Sequence, residues 1–211
     1  MTQVPAQPIR LHTFALSGHA HRVELALSLL GLPFEKIPVD LRQREQKGAA
    51  FLALNPFGQV PAIEDGDIAL GDSNAILVYL ATRYDTSGRW LPRDALGAAQ
   101  VQRWFSVAAG ELREGPGMAR VQVVFRRQPV LAERIEGAAQ LFMLMEQHLA
   151  GRQWLVGDGP TLADIAMYSY TAVAPEGHCS LEPFAQVRGW LARIEALPGF
   201  VPMPRTPLPQ V

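Results

Sequence analysis

Every convincing strand signal in this chain lies before one glycine- and proline-rich stretch, DTSGRWLPRDA at residues 85–95. That asymmetry restricts the fold to a mixed α/β half followed by an all-helical half. Before the stretch, IRLHTFAL (residues 9–16) alternates apolar residues among β-formers, which predicts a short strand. A helix follows, with Ala20, Val23, Ala26, Leu27 and Leu30 recurring every three or four residues. His21, Arg22, Glu24 and Ser28 fall between them, and Gly31 is the stop. PFEKIPVD is the next strand candidate, and residues 41–53 are polar and then weakly helical. NPFGQVPAIEDGDIAL places two apolar runs around Asp65-Gly66, a hairpin pattern. DSNAILVYLATRY then reads as a helix capped by Asp72 or Ser73, with Ile76, Leu77, Leu80 and Tyr84 on one face. The order is βαβ, irregular helix, ββα.

Past the stretch, Leu131, Ile135, Ala138, Phe142, Met145 and Leu149 keep helical spacing, and Phe184, Val187, Leu191, Ile194 and Leu197 do so again. Between them, GPTLADIAMYSY sets Thr161 and Asp164 at capping-box spacing. Its Leu162, Ile165, Ala166 and Met167 leave almost no polar face, so this helix is expected to be buried. The tail PGFVPMPRTPLPQV is too proline-dense for a helix and is expected to lie extended against the surface.

Charge and cysteine content narrow the chemistry. Lys and Arg total 19 against 20 Asp and Glu with no long run of either sign, so neither nucleic acid nor an anionic membrane is the expected partner. The single cysteine, Cys179, excludes an internal disulfide framework, a C-x-x-C redox pair and a cysteine-based zinc site. The start of the chain is polar, and no apolar stretch nears the ~18 residues of a spanning helix, so a soluble cytoplasmic protein is expected.

One stretch concentrates reactive side chains. LSGHAHRV (residues 16–23) brings Ser17, His19 and His21 together at the start of the first helix. A catalytic pair, half a metal site and a simple helix cap all fit this local pattern. The two histidines, separated by one residue, point to different sides of a helix and make a poor metal pair. Ser17 and His21 are within reach of one another, but the chain has no G-x-S-x-G elbow to support a serine hydrolase.

Four pieces in this order, LSGHAHRVELALSLLGLPFE, LNPFGQVPAIEDGDIAL, DSNAILVYLATRY and GPTLADIAMYSY, give the chain a likeness that covers nearly its whole length. It resembles the cytosolic glutathione transferase family, in particular serine-type members of the bacterial kind. The resemblance implies a thioredoxin-like α/β domain over residues 1–85 that binds glutathione. It also implies an all-α C-terminal domain over residues 94–211 that supplies most of the co-substrate pocket.

The same resemblance assigns residues. Pro61 matches the cis-proline of the family, which leaves the backbone of Val60 to pair with the extended peptide as an added strand, and Gln59 matches a peptide contact. Asp72 and Ser73, standing where Glu-Ser is usual, would hold the γ-glutamyl end: helix amides for its carboxylate, the Asp72 carboxylate for its ammonium. Ser17 matches the serine that donates a hydrogen bond to the glutathione sulfur. His19 stands where many relatives have asparagine, as a second donor. Trp104, Phe105, Met118 and Phe125 are the co-substrate candidates. The implied activity is attack of bound glutathione on a small hydrophobic electrophile or hydroperoxide, by a homodimer without a metal. A binding or regulatory protein of the same fold without turnover, and a glutathione-dependent disulfide reductase, are the alternatives.

Overall fold

The computed structural model describes residues 4–206 and divides the chain into two compact units. One runs to Leu91 and takes in Leu197–Met203; the other comprises Pro92–Ala196 and the residues from Pro204 onward.

The first unit is built on a four-stranded sheet in the order β2-β1-β3-β4. Strands β1 (Ile9–Thr13) and β2 (Phe34–Pro38) are parallel, joined through helix α1 (Gly18–Leu29). Strands β3 (Ala62–Asp65) and β4 (Ile68–Gly71) form the hairpin, with β3 antiparallel to β1. Alternation along β1 sends Ile9 and Leu11, both 0 % exposed, into the core. Arg10 and His12 fall on the opposite face, where both reach Glu64 of β3, at 2.7 and 2.6 Å. The core is completed by Val23, Ala26 and Leu27 of α1 and by Ile76, Leu77 and Leu80 of α3 (Ser73–Tyr84), all 0 % exposed. Helix α2 (Ala49–Leu54) covers the other face, where Phe51 packs with Val39 and Ala62.

Helix α1 stops as its sequence predicts. Gly31 takes φ +66°, and the Leu32 amide bonds back to Leu27 O at 3.0 Å, a C-terminal motif that glycine favours. Its polar side differs from expectation. His21 and Arg22 are 3 % and 1 % exposed, so the helix is covered over most of its circumference and not on one stripe. Part of the cover is the returning segment Leu197–Met203, which accepts from Ser28 Oγ at Gly199 O (2.6 Å) and meets His21 Nε2 at Val201 O (2.9 Å).

The second unit holds helices and no strand among its described residues: α4 (Ala95–Ala109), α5 (Met118–Arg120), α6 (Ala132–Leu149), α7 (Leu162–Ala172) and α8 (Ala185–Glu195). The short α5 sits between two π-helical segments, Arg113–Gly117 and Val121–Arg126, where GPG interrupts regular α-helical bonding. Helix α7 is buried along its whole length. Thr161 and Asp164 close a reciprocal capping box, and the same carboxylate accepts from the Leu155 amide at 3.0 Å and Trp190 Nε1 at 2.8 Å.

Two helical spacings need correction. In α6 the buried stripe is Ala138, Phe142, Met145 and Leu149, whereas Leu131 is 46 % and Ile135 36 % exposed, because Leu131 is the N-cap and the first turn leaves the core. In α8, Phe184 is the N-cap and Leu197 lies beyond the helix, while Trp190, fully buried, is the central core residue. The tail carries no helix over residues 201–206, yet Met203 is buried; residues 207–211 lie outside the described part.

Candidate active site

Two helix starts and one loop carry the residues singled out in the first unit. Ser17 is the N-cap of α1, in extended backbone (φ −85°, ψ 115°), and its Oγ accepts from the Ala20 amide at 3.2 Å. Capping uses a lone pair of the hydroxyl and leaves its hydrogen for another acceptor. No acidic residue occupies the first turn, so the positive end of the helix is not neutralised there. The cap reading is therefore correct, and it is compatible with donation to a sulfur.

His21 is directed elsewhere. Its Nε2 meets Val201 O at 2.9 Å, and because a carbonyl only accepts, this nitrogen carries the proton. Burial holds its pKa below the ordinary histidine value, only partly offset by that bond and by Glu24. It is a neutral structural histidine. His19, half-buried, instead reaches α3: its Nδ1 lies 3.4 Å from Ser73 Oγ.

Asp72 is the N-cap of α3 and adopts φ +68°, a left-handed conformation that costs a residue with a side chain roughly 1–3 kcal/mol. Its Oδ1 accepts from the Ala75 amide at 2.9 Å, and the residue is exposed, so the second carboxylate oxygen is available to a ligand. Ser73 beside it is only 5 % exposed. Sequence reasoning missed the residue that joins these two helix starts. Arg22, on the second turn of α1, donates from Nη1 to Ser73 Oγ at 2.9 Å and to Asn74 Oδ1 at 2.8 Å.

The loop before β3 supplies the third element. The Val60–Pro61 peptide is cis. Among the described residues, neither the amide nor the carbonyl of Val60 has a backbone partner. Gln59 is exposed, and its carbonyl accepts from Asn55 Nδ2 at 2.7 Å. Buried Asn55 also accepts from the Phe57 amide at 3.2 Å, and a Cβ at Gly71 would come within 2.6 Å of its side chain. Asn55 thus clamps the loop to β4, a role that its place directly before Pro56 signals only as a turn. Lys47 donates to Phe57 O at 3.1 Å.

The four aromatic and apolar residues of the second unit differ in surroundings. Phe105 is a core residue at 4 % exposure. Trp104 is half-buried with its ring edge-on to His148, at 5.1 Å between centroids. Met118 opens α5 half-buried, and Phe125 is 41 % exposed beneath the Arg120 guanidinium. Cys179 is buried, and that burial pushes its thiol up to about 11, so it is a poor nucleophile.

Comparison with known proteins agrees with this architecture in both units. Residues 16–83 match the glutathione S-transferase N-terminal domain family and residues 100–198 the C-terminal domain family. Glutathione S-transferase 3 of Zea mays is 32 % identical over 95 % of this chain and 97 % of its own. The crystal structure of a glutathione S-transferase from Xanthobacter autotrophicus superposes with a TM-score of 0.86 at 35 % identity, covering 93 % of this chain and 97 % of that one. A glutathione transferase homolog of Drosophila mojavensis, solved with bound glutathione, superposes with a TM-score of 0.84 at 25 % identity, over 90 % and 89 % of the two chains. With both domains matched in order and relatives aligned over almost the full length, this chain belongs to the glutathione S-transferase family.

Proposed function

We propose that this glutathione transferase holds glutathione on its first unit, keeps the sulfur as thiolate and directs it at a small hydrophobic electrophile or hydroperoxide. The observation that carries the reading is the junction of the two helix starts. Ser17 caps α1 with its hydroxyl hydrogen left over, and Ser73, the first residue of α3, lies within 3.4 Å of His19 and 2.9 Å of Arg22. The γ-glutamyl carboxylate meets Ser73 and the leading amides of α3, its ammonium meets Asp72, and the peptide lies along Val60 and Gln59 ahead of Pro61. The cysteinyl sulfur then comes to the start of α1.

A free thiol titrates near ~8.5, and each unit of lowering requires about 1.4 kcal/mol of preferential thiolate stabilisation. One hydroxyl donor and the positive helix end together supply one or two units, enough to make the thiolate a major species near neutral pH. Ser17 donates only and takes no proton; His19 is a secondary donor. On the second unit, Trp104, Met118 and Phe125 retain surface for an apolar co-substrate, and Phe105 supports them from the core. Because the Cys179 thiol is buried, any disulfide chemistry would use the sulfur of glutathione itself.

Apolar side chains left in solvent favour a homodimer: Phe57 is 81 % exposed on the first unit, and Met143 and Leu144 are 49 % and 61 % exposed on the second. A cytoplasmic location agrees with the single reduced cysteine. Retention on immobilised glutathione, followed by turnover with a panel of aryl halides, epoxides and hydroperoxides, tests the proposal. Retention with turnover of at least one class is expected. Retention without any turnover would point to a binding or regulatory module instead.

A further inference from the structure

Arg22 is the most deeply buried charged side chain of the first unit at 1 % exposure, and the chemistry above names it only as a neighbour of Ser73. A guanidinium is permanently charged and can only donate, so burying one costs free energy unless its N–H groups are well placed. Two of its bonds go to one short stretch, Ser73 Oγ at 2.9 Å and Asn74 Oδ1 at 2.8 Å, at the first turn of α3. These bonds have a direction. Since Arg22 only donates, the hydrogen of the Ser73 hydroxyl is never spent on it and is left for His19 Nδ1, at a long 3.4 Å, or for a ligand oxygen that approaches more closely.

We propose that Arg22 is a positioning residue for glutathione binding. It fixes Ser73 as a donor toward the α-carboxylate of the γ-glutamyl group and sets its own positive charge behind that carboxylate. Through the same contacts it ties the γ-glutamyl subsite on α3 to the helix whose start receives the sulfur. This rests on the reading of Ser73 given above.

The test uses the full-length protein and two ligands: glutathione and 4-aminobutyryl-cysteinylglycine, which is glutathione without that carboxylate. Calorimetry gives the ratio of their affinities for the wild type, Arg22→Gln, Arg22→Lys and Ser73→Ala. The wild type is expected to prefer glutathione, and Arg22→Gln to lose about ten-fold or more of that preference, the scale of a charged hydrogen bond. Arg22→Lys, which keeps the charge without the planar fork, should lose less. Steady-state kinetics should show the same split, with KM for glutathione raised and kcat at saturation little changed. A merely structural role would weaken both ligands alike and leave the ratio where it was.

An unchanged ratio in Arg22→Gln alongside a reduced one in Ser73→Ala overturns the role of Arg22 and keeps the subsite. Ratios unchanged in both variants overturn the subsite and this inference with it. Should Arg22→Gln fail to fold, Arg22→Lys decides alone: a ratio within about two-fold of wild type overturns the proposal, and a larger loss supports it.

Discussion

Asp72 is exposed and its Oδ1 holds the Ala75 amide, and in the proposed site its other oxygen takes the ammonium of glutathione. Asp72→Ala is therefore expected to raise the dissociation constant for glutathione about ten-fold or more, as a charged hydrogen bond contributes about 1.5–3 kcal/mol. Asp72→Asn, which can still cap, should lose nearly as much affinity with a smaller loss of stability. Unchanged affinity by calorimetry would make Asp72 a cap only. His21 makes a different prediction. Its folded-state pKa lies below the ordinary 6.5. The unfolded chain therefore takes up the proton first, and the stability tied to neutral His21 is fully present above that value and lost as pH falls through the lowered one. Thermal melts between pH 7 and 5 should show a steeper decline for the wild type than for His21→Asn, whose amide can still donate to Val201 O. Equal slopes would remove His21 from the account. At this scale the sequence was legible where chemistry follows residue type: Ser17 and Asp72 both cap helices as their side chains suggest. It was silent on Arg22, because hydrophobic periodicity assigns an arginine between apolar positions to the solvent side, and only the tertiary fold supplies the two acceptors that let it be buried.

Among elements, the hydrophobic pattern specified most where both local and tertiary preferences agreed. The hairpin around Asp65-Gly66 and the capped α7 combine a local turn or cap signal with a core-facing pattern, Ala62 and Ile63 in β3 and the whole of α7 being buried. Helix ends were read less well. Periodicity carried α6 back to Leu131 and α8 on to Leu197, but both residues lie outside those helices, where the chain has left the core that gives periodicity its meaning. The π-helical turns flanking α5 had no signal of their own, since Gly-Pro-Gly reads simply as a break. Helix α7 yields the element-scale prediction. Burial raises the Asp164 pKa, and amide, hydroxyl and indole donors from Leu155, Thr161 and Trp190 oppose that rise by holding the carboxylate. Asp164→Ala would strand those donors in the core of the second unit, and about 3–5 kcal/mol of stability should be lost. Urea unfolding would read this as a lower midpoint at unchanged slope. A loss below about 1 kcal/mol would mean that α7 is held by apolar packing alone.

At the scale of the whole molecule, the solvent-exposed Phe57, Met143 and Leu144 predict a dimer. Light scattering at micromolar concentration should return twice the chain mass of 23.1 kDa, and a strictly monomeric mass would contradict that assembly. The division into an α/β unit and a helical unit was legible in the sequence, because all strand signals fall on one side of a single boundary. The identity of the electrophile was not, because Trp104, Met118 and Phe125 offer apolar surface without a polar group to select a substrate. The thiolate on which the proposed chemistry depends can be observed directly. Ultraviolet thiolate absorbance of the glutathione complex, followed against pH, should give a bound thiol pKa about one to two units below the free value of ~8.5 in the wild type. In Ser17→Ala it should return most of the way to that value, with conjugation at neutral pH falling about ten- to a hundred-fold. A wild-type complex whose thiol titrates where free glutathione does, or a Ser17→Ala complex that titrates where the wild type does, would show that Ser17 at the start of α1 does not make the nucleophile.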